Sequence, residues 1–288
     1  MSRDRSSVTV IDLPASRRET PNLIDMIWWR HWVYGLVEAD ITTPRSLIRE
    51  YESRSDEQLS FTGYLAYCLG RAVSEDRMVH AMRKGRRQLA VLQDVDILVM
   101  IERQVGDVHA PTGHVLRRTD RRPYLEISRE IRDVQARPVS GTKGMPPLVH
   151  RLMLLPGPVA KLFGALLRLS ARLNPERMAS MGGTVGLSAV GMFGHHSGWA
   201  LAPNGHTLDL LVGGIACKPA FVEGRIEPRD ILKLTIAFDH DVVDGAPAAR
   251  FVERLIDLVE SGSGLPGTSQ SPAPLSKHEP TVGDSEFR

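Results

Sequence analysis

A histidine and an aspartate four residues apart are the side chains of this sequence best suited to acid–base chemistry. His240 and Asp244 stand in the run His-Asp-Val-Val-Asp-Gly, which ends at Gly245. A neutral imidazole takes up a proton near neutral pH, and a nearby carboxylate can fix the surroundings of the ring. The run therefore predicts a general base presented by a short, well-defined loop.

The elements on either side of this loop can be predicted from hydrophobic periodicity. Apolar residues alternate with other residues over 232–238, which is typical of a strand. After the loop, apolar residues recur from Val252 at i, i+3, i+4 and i+7, which is typical of one helix face. His240 therefore lies in the tight connection between a strand and a helix, a position that favours function over packing.

A hydroxyl-bearing strand is the second candidate for chemistry. The segment 182–194 reads Gly-Gly-Thr-Val-Gly-Leu-Ser-Ala-Val-Gly-Met-Phe-Gly. Strand alternation places Thr184, Gly186 and Ser188 on one face. Because that face is small and polar, a substrate could approach the backbone there.

Together, these two segments resemble the catalytic domain of the 2-oxo acid dehydrogenase acyltransferases (dihydrolipoamide acyltransferases), which is related to chloramphenicol acetyltransferase. The C-terminal run matches the family pattern at Asp239, His240, Val242, Asp244, Gly245, Ala246, Arg250 and Phe251. The segment 182–194 is similar to the family's serine strand and places Ser188 on the catalytic serine. The resemblance extends over residues 21–262 and departs at Asp241, where the family usually has arginine.

The resemblance implies an α/β fold, a two-layer sandwich in which helices cover one face of a mixed β-sheet. It implies acyl transfer between the thiols of coenzyme A and dihydrolipoamide, without an acyl-enzyme. His240 would be the general base and Ser188 the oxyanion stabiliser. Asp244 would orient the loop through a buried ion pair with Arg250 or an N-terminal arginine, and Gly245 and Arg250 would give structural support.

The family resemblance also implies a homotrimer, or a multiple of trimers, whose active sites lie between subunits. The acceptor would come from a separate lipoyl-bearing protein, because we expect no lipoyl domain and no covalently bound lipoyl group on this chain.

Two other functions remain open at the sequence level. Asp241 could raise the pKa of His240 and repel the phosphates of coenzyme A. This residue and the long insertion favour a noncatalytic trimeric scaffold or regulatory paralogue, whereas intact His240, Asp244, Gly245 and Ser188 favour activity. A small-molecule O- or N-acetyltransferase is the other alternative. Against it, Asp239 rather than a second histidine precedes His240.

Composition excludes several classes of protein. The net charge of the 288 residues is +2, too small to indicate nucleic-acid binding, and two cysteines are too few for a disulfide framework. The adjacent His195 and His196 point to opposite faces of a strand, so we expect no metal site there. The charged N-terminus has no hydrophobic signal region and no apolar run reaches about 20 residues, which predicts a cytoplasmic protein.

The chain divides into a flexible tail over 1–20, the catalytic domain over 21–262 and a disordered tail over 263–288. Between two strands of the domain, we expect turns around Gly106 and at 111–113.

The largest departure from the family is an insertion over about 140–181, whose stretch 148–172 is apolar and basic. We favour a helical hairpin that packs on the domain or on a neighbouring subunit. An amphipathic helix at a membrane surface is the alternative.

Overall fold

The computed structural model describes residues 21, 24, 30–105, 108–137, 157–189 and 197–268. These residues form a mixed six-stranded sheet, a two-stranded ribbon and helices. The strands are β1 Trp32–Asp40, β2 Met82–Lys84, β3 Gln88–Ala90, β4 Ile97–Val105, β5 Val108–Leu116, β6 Val185–Ser188, β7 Leu208–Val222 and β8 Arg225–Asp239. The α-helices are α1 Thr42–Arg54, α2 Phe61–Glu75, α3 Tyr124–Ala136, α4 Gly157–Leu173, α5 Pro175–Gly182 and α6 Gly245–Glu260, and a 3-10 turn spans Arg77–His80.

The main sheet has the strand order β1-β8-β7-β6-β4-β5, and β2 pairs with β3 apart from it. The short strand β6 runs parallel to both of its neighbours, β4 and β7, whereas the other pairs are antiparallel. A parallel neighbour requires a crossover connection. The long connections into and out of β6 serve this purpose and place β6 in the middle of the sheet.

The predicted strand over 232–238 is the second half of β8, and its apolar alternation faces the helices. Leu234 and Phe238 are in the core, and the Phe238 ring meets Phe251 of α6 edge to face at a centroid distance of 5.8 Å. The opposite face of β8 is also covered, because the Trp199 ring lies 4.1 Å from the ammonium group of Lys233. Both faces of this end of β8 are therefore fixed by packing.

The helices α2, α3 and α6 form the second layer on that face of the sheet. Tyr64 of α2 donates a hydrogen bond to the carbonyl of Val259 over 2.7 Å, and its ring meets Tyr124 of α3 edge to face. Burial raises the pKa of the Cys68 thiol on α2 to about 12, so this cysteine is a core residue. The expected α/β fold, with a mixed sheet and one helical layer, is confirmed.

The turn expected at 111–113 is wrong. Pro111 lies inside β5 and is paired with Glu102 of β4. Because β5 is an edge strand of the described sheet, a residue without an N–H group can be tolerated there.

The disordered tail predicted over 263–288 does not begin at residue 263. Leu265 is 2% exposed and belongs to the core, and Gly264, at φ 76°, lies so close to the Tyr67 ring that a Cβ would overlap it. The tail beyond residue 268 and the N-terminal tail over 1–20 lie outside the described residues.

The described part of the insertion, residues 157–181, is helical, as expected. It forms α4 and most of α5, which meet at Asn174. None of the described helices is long and apolar enough to cross a bilayer.

Candidate active site

His240 directly follows β8 and is tied to the start of β1. Its backbone N–H donates a hydrogen bond to the carbonyl of His31 over 2.7 Å. About 45% of its side chain is exposed, so the imidazole is open to a substrate. The backbone of this residue is held while its ring faces solvent, which is the arrangement that a general base requires.

The residue before His240 forms the buried ion pair of this loop. The guanidinium of Arg30 lies 3.5 Å from Asp239 Oδ2, and Asp239 Oδ1 accepts a hydrogen bond from the backbone N–H of Asp241. Burial lowers the pKa of Arg30 and raises the pKa of Asp239, and each charge opposes the shift of the other. Removing either partner would weaken the compensation of the buried charge that remains.

The residue after His240 carries the acidic group that departs from the family pattern. Asp241 Oδ1 lies 2.9 Å from Nδ1 of His31, and Asp241 Oδ2 accepts a hydrogen bond from Arg83 of β2 over 2.6 Å. The hydrogen bond with His31, followed by the charge of Arg83, lowers the pKa of Asp241. The carboxylate is therefore engaged by two partners other than His240.

The expected buried ion pair of Asp244 is absent from the described residues of the single subunit. Asp244 precedes α6 with its side chain 82% exposed, and its Oδ1 lies 3.7 Å from Nδ1 of His240. Arg250 lies on the exposed side of α6, and no ion pair joins it to Asp244 among those residues. Arg30, an arginine near the N-terminus, pairs with Asp239 rather than with Asp244.

Ser188 is the last residue of β6 and is half-buried. It is in register with Leu211 of β7, which is in register with Thr235 of β8. His240 follows Thr235 by five residues, which is about 17 Å along a strand, and two strand spacings of roughly 4.8 Å separate β6 from β8. Ser188 and His240 therefore lie roughly 19 Å apart, and the two cannot meet at one thioester within a subunit.

A buried histidine–aspartate pair supports β6 from the face that carries Ser188. His206 Nδ1 lies 2.8 Å from Asp209 Oδ1, and His206 Nε2 lies 2.9 Å from the carbonyl of Gly182. Because both groups accept hydrogen bonds, both ring nitrogens must donate, which requires the imidazolium form. Burial alone lowers the pKa of His206, but the charge and hydrogen bonds of Asp209 outweigh it and the net shift is upward.

Gly186 is where this pair meets β6. A Cβ at Gly186 would overlap Asp209 Oδ1 and lie 2.9 Å from His206 Nδ1. The sequence correctly predicted that Gly186 lies on a small, polar face. It did not predict the His206–Asp209 pair that occupies the space beside this glycine. The spacing His206-x-x-Asp209 at the start of an apolar strand was the signal that could have indicated it.

Among the residues that the structure describes, no three or more His, Cys, Asp or Glu side chains are arranged to hold a metal ion. His195 and His196 lie outside those residues.

Comparison with known proteins finds a family match over about a third of the chain, in its C-terminal half. Residues 167–265 match the family model of the 2-oxoacid dehydrogenases acyltransferase (catalytic domain). The lipoamide acyltransferase component of the branched-chain alpha-keto acid dehydrogenase complex from Arabidopsis thaliana is 36% identical over 105 residues, which are 35% of this chain and 21% of that protein. The pyruvate dehydrogenase acetyltransferase component from Zymomonas mobilis is 33% identical over 94 residues, 33% of this chain and 21% of that protein. The matched part thus spans about a fifth of each of these relatives.

Solved structures extend the likeness of the fold to most of the chain. A probable dihydrolipoamide acetyltransferase from Listeria monocytogenes superposes with a TM-score of 0.62 at 18% identity, covering 88% of this chain and 95% of that one. The dihydrolipoamide acetyltransferase from Azotobacter vinelandii, studied for the role of a serine, a histidine and an asparagine in its mechanism, gives 0.64 at 19% identity, covering 90% and 95%. The resemblance to an acyltransferase catalytic domain is confirmed over residues 167–265, and the likeness of the fold extends over most of the chain.

Proposed function

We propose that this chain, whose residues 167–265 match the catalytic domain of the 2-oxoacid dehydrogenase acyltransferases, moves an acyl group between coenzyme A and a second thiol such as dihydrolipoamide. His240 is the general base, Ser188 stabilises the oxyanion and Asp244 positions the imidazole. The observation that carries the proposal is His240 itself, held by its backbone at the end of a buried strand with its ring open to solvent.

The chemistry follows from the thiol. A free thiol has a pKa of about 8.5 and is mostly protonated near neutral pH, so a base must remove its proton. His240 takes that proton, and the thiolate attacks the thioester carbonyl. The carbonyl oxygen becomes negatively charged and accepts a hydrogen bond from Ser188. Collapse of the adduct breaks the original C–S bond, and the departing thiolate regains the proton from the imidazolium of His240.

The spacing of the three residues supports these roles. In the Azotobacter vinelandii acetyltransferase, the serine precedes the histidine by 52 positions and the asparagine follows it by four. Ser188, His240 and Asp244 have the same spacings. The third position carries an amide in that protein and a carboxylate in this one, so its role there does not depend on a charge. We infer that Asp244 acts on His240 through a hydrogen bond.

The sheet register supports an active site between subunits. Because Ser188 and His240 of one chain lie roughly 19 Å apart along the observed register, we propose that His240 of one subunit meets Ser188 of the next. A homotrimer closes this head-to-tail arrangement. The related pyruvate dehydrogenase complex has a cubic core of such chains. A trimer, a lipoyl-bearing partner protein and a cytoplasmic location stay predictions.

The scaffold alternative loses one of its two supports. It depended on the long insertion and on Asp241 as a disturbing charge beside His240, but the Asp241 carboxylate is bonded to His31 and Arg83.

The activity can be tested by measuring release of coenzyme A from a panel of acyl-CoA donors with dihydrolipoamide as the acceptor. We expect His240→Ala to abolish turnover and Ser188→Ala to lower kcat by about 10²–10³-fold. His114→Ala is the matched control, because this imidazole is also partly exposed and bonded to a carboxylate, Glu130, but lies on the edge strand β5. Equal rates for the wild type and His240→Ala with every donor would exclude the proposed function.

Subunit complementation tests the shared site separately. Chains that carry His240→Ala and chains that carry Ser188→Ala are unfolded together and refolded as a mixture. Since each intact site needs one group from each type of chain, random assembly restores roughly a quarter of wild-type activity. A mixture no more active than its components would show that the sites are not shared.

A further inference from the structure

The helix α4 exposes a continuous apolar stripe. Five large aliphatic side chains recur at i, i+3, i+7, i+10 and i+14 along its four turns, and each is 48–64% exposed: Val159, Leu162, Leu166, Leu169 and Leu173. This spacing places them on one side of the helix. A contiguous apolar surface of this length is unusual on a soluble protein and marks a binding surface.

The opposite side of α4 packs on the protein. The stripe is therefore the outward side of the helix and not the side that contacts the core. Gly164 is buried, and Phe163 and Leu167 are half-buried. The carbonyl of Arg172, in the last turn, accepts a hydrogen bond of 2.8 Å from the N–H of Gly85 between β2 and β3. The helix is thereby packed on one side and anchored at its C-terminal end, and it presents its leucines on the other side.

Positive charge lies on α4 itself and on the turn beside its last residues. The helix α4 contains one lysine and two arginines but no acidic residue. The turn joined to its last residues carries Lys84, Arg86 and Arg87, and all three side chains are exposed. This basic turn and the apolar stripe of α4 form one composite surface, which we call the α4 surface.

We propose that the α4 surface docks on an anionic lipid bilayer. The helix lies parallel to the membrane, the leucines enter the boundary between headgroups and acyl chains, and Lys84, Arg86 and Arg87 bind lipid phosphates. A second copy of the chain fits less well, because it would bring a second basic turn and a second α4 without acidic residues to the same contact. The stripe also forms a ridge along the helix. A ridge can insert into lipid without a complementary groove, whereas docking on a second protein would require one.

The packed side of α4 adjoins the His240 edge of the sheet. Ala171 and Arg172 of α4 line a small cavity together with Arg30, Arg83 and Asp239. The inference itself rests on α4 and the basic turn alone, so it stands or falls independently of the acyltransferase function.

Flotation on a density gradient tests the proposal with the full chain and two kinds of vesicle. We expect the protein to float with vesicles that contain phosphatidylglycerol, about tenfold or more above phosphatidylcholine vesicles, and to dissociate as salt rises. The triple variant Leu162→Gln/Leu166→Gln/Leu169→Gln should lose binding. The triple variant Lys84→Gln/Arg86→Gln/Arg87→Gln should weaken binding by about tenfold or more, since each basic residue near the surface contributes roughly fivefold.

The matched control changes apolar side chains elsewhere. Phe221 and Ile226, 80% and 66% exposed, flank the turn between β7 and β8, and Phe221→Gln/Ile226→Gln should bind vesicles like the wild type. Failure of the wild type to float, or equal binding to neutral vesicles, would overturn the proposal. A change of oligomeric state in the leucine variant, measured by light scattering, with vesicle binding retained would assign the stripe to a second copy instead.

Discussion

The guanidinium of Arg83, on the short ribbon outside the main sheet, donates to Asp241 Oδ2 over 2.6 Å. This contact links the ribbon to the residue that directly follows His240. The family resemblance predicts a basic residue at position 241, and the structure contains an acidic residue with a basic partner opposite it. The two positions thus form a complementary charge pair, which holds the loop of His240 in addition to the contact of Asp241 with His31.

Reversing this charge should misplace the loop. Asp241→Arg sets two guanidiniums against each other, and we expect kcat to fall by about tenfold or more because small displacements of a catalytic group are costly. The reversed pair Asp241→Arg/Arg83→Asp should recover most of the loss. Steady-state kinetics with acyl-CoA and dihydrolipoamide measure both effects. Glu75→Gln, which breaks the comparable pair of Glu75 with Arg254, should leave kcat unchanged; an unrecovered double variant would argue against the pair.

Asp244 should tolerate the loss of its charge. Its carboxylate is 82% exposed and lies 3.7 Å from His240 Nδ1, and we expect Asp244→Asn to keep kcat within about threefold because an amide oxygen can still accept a hydrogen bond. Asp244→Ala, which has no acceptor, should lower kcat by about tenfold. Equal losses in the two variants, measured under the same conditions, would show that the charge itself is needed.

Gly186 should be intolerant of any side chain. A Cβ would overlap Asp209 Oδ1, and separating Asp209 from the imidazolium of His206 leaves buried charges uncompensated. We expect Gly186→Ala to lower the free energy of unfolding by about 3 kcal/mol or more. Gly182→Ala is the control, since nothing lies within 4 Å of its added Cβ, and its carbonyl still accepts from His206. Denaturant unfolding of both variants gives the comparison, and equal midpoints would contradict it.

His80 should make the protein less stable in mild acid. Burial lowers the pKa of His80 from 6.5 to about 4, while its Nε2 donates to the carbonyl of Leu92. Between these two values the unfolded chain binds a proton that the folded protein does not. The free energy of unfolding should therefore fall by about 3 kcal/mol as the pH drops from 6.5 to 4. His80→Gln should flatten this part of the stability curve, and an unchanged slope would assign the acid sensitivity to other groups.

The local elements of the site could be predicted from sequence, whereas its contacts could not. The alternation over 232–238 and the periodicity after Gly245 predict β8 and α6 because both patterns depend on near neighbours. The pairs Arg30–Asp239 and Arg83–Asp241 join residues far apart in sequence. Their pairing depends on how distant segments of the chain meet in space, which hydrophobic periodicity does not contain.

The predicted turn at 111–113 and the predicted start of the disordered tail were both wrong, because both predictions depended on residue type alone. Pro111 indicates a turn by residue type, but position at the sheet edge decides whether a proline fits a strand. Leu265 stands in a stretch rich in Gly and Ser, and its composition indicates disorder. The burial of Leu265 in the core is a single contact that an average over composition does not detect.

The wide separation of Ser188 and His240 on one sheet has a genetic consequence. Each chain would furnish half of two different catalytic centres, so a chain that lacks both groups silences two centres rather than one. In a cell that makes normal and defective chains together, the fraction of catalytic activity that is lost would exceed the fraction of chains that are defective. Alleles whose chains lack both groups would therefore be dominant negative.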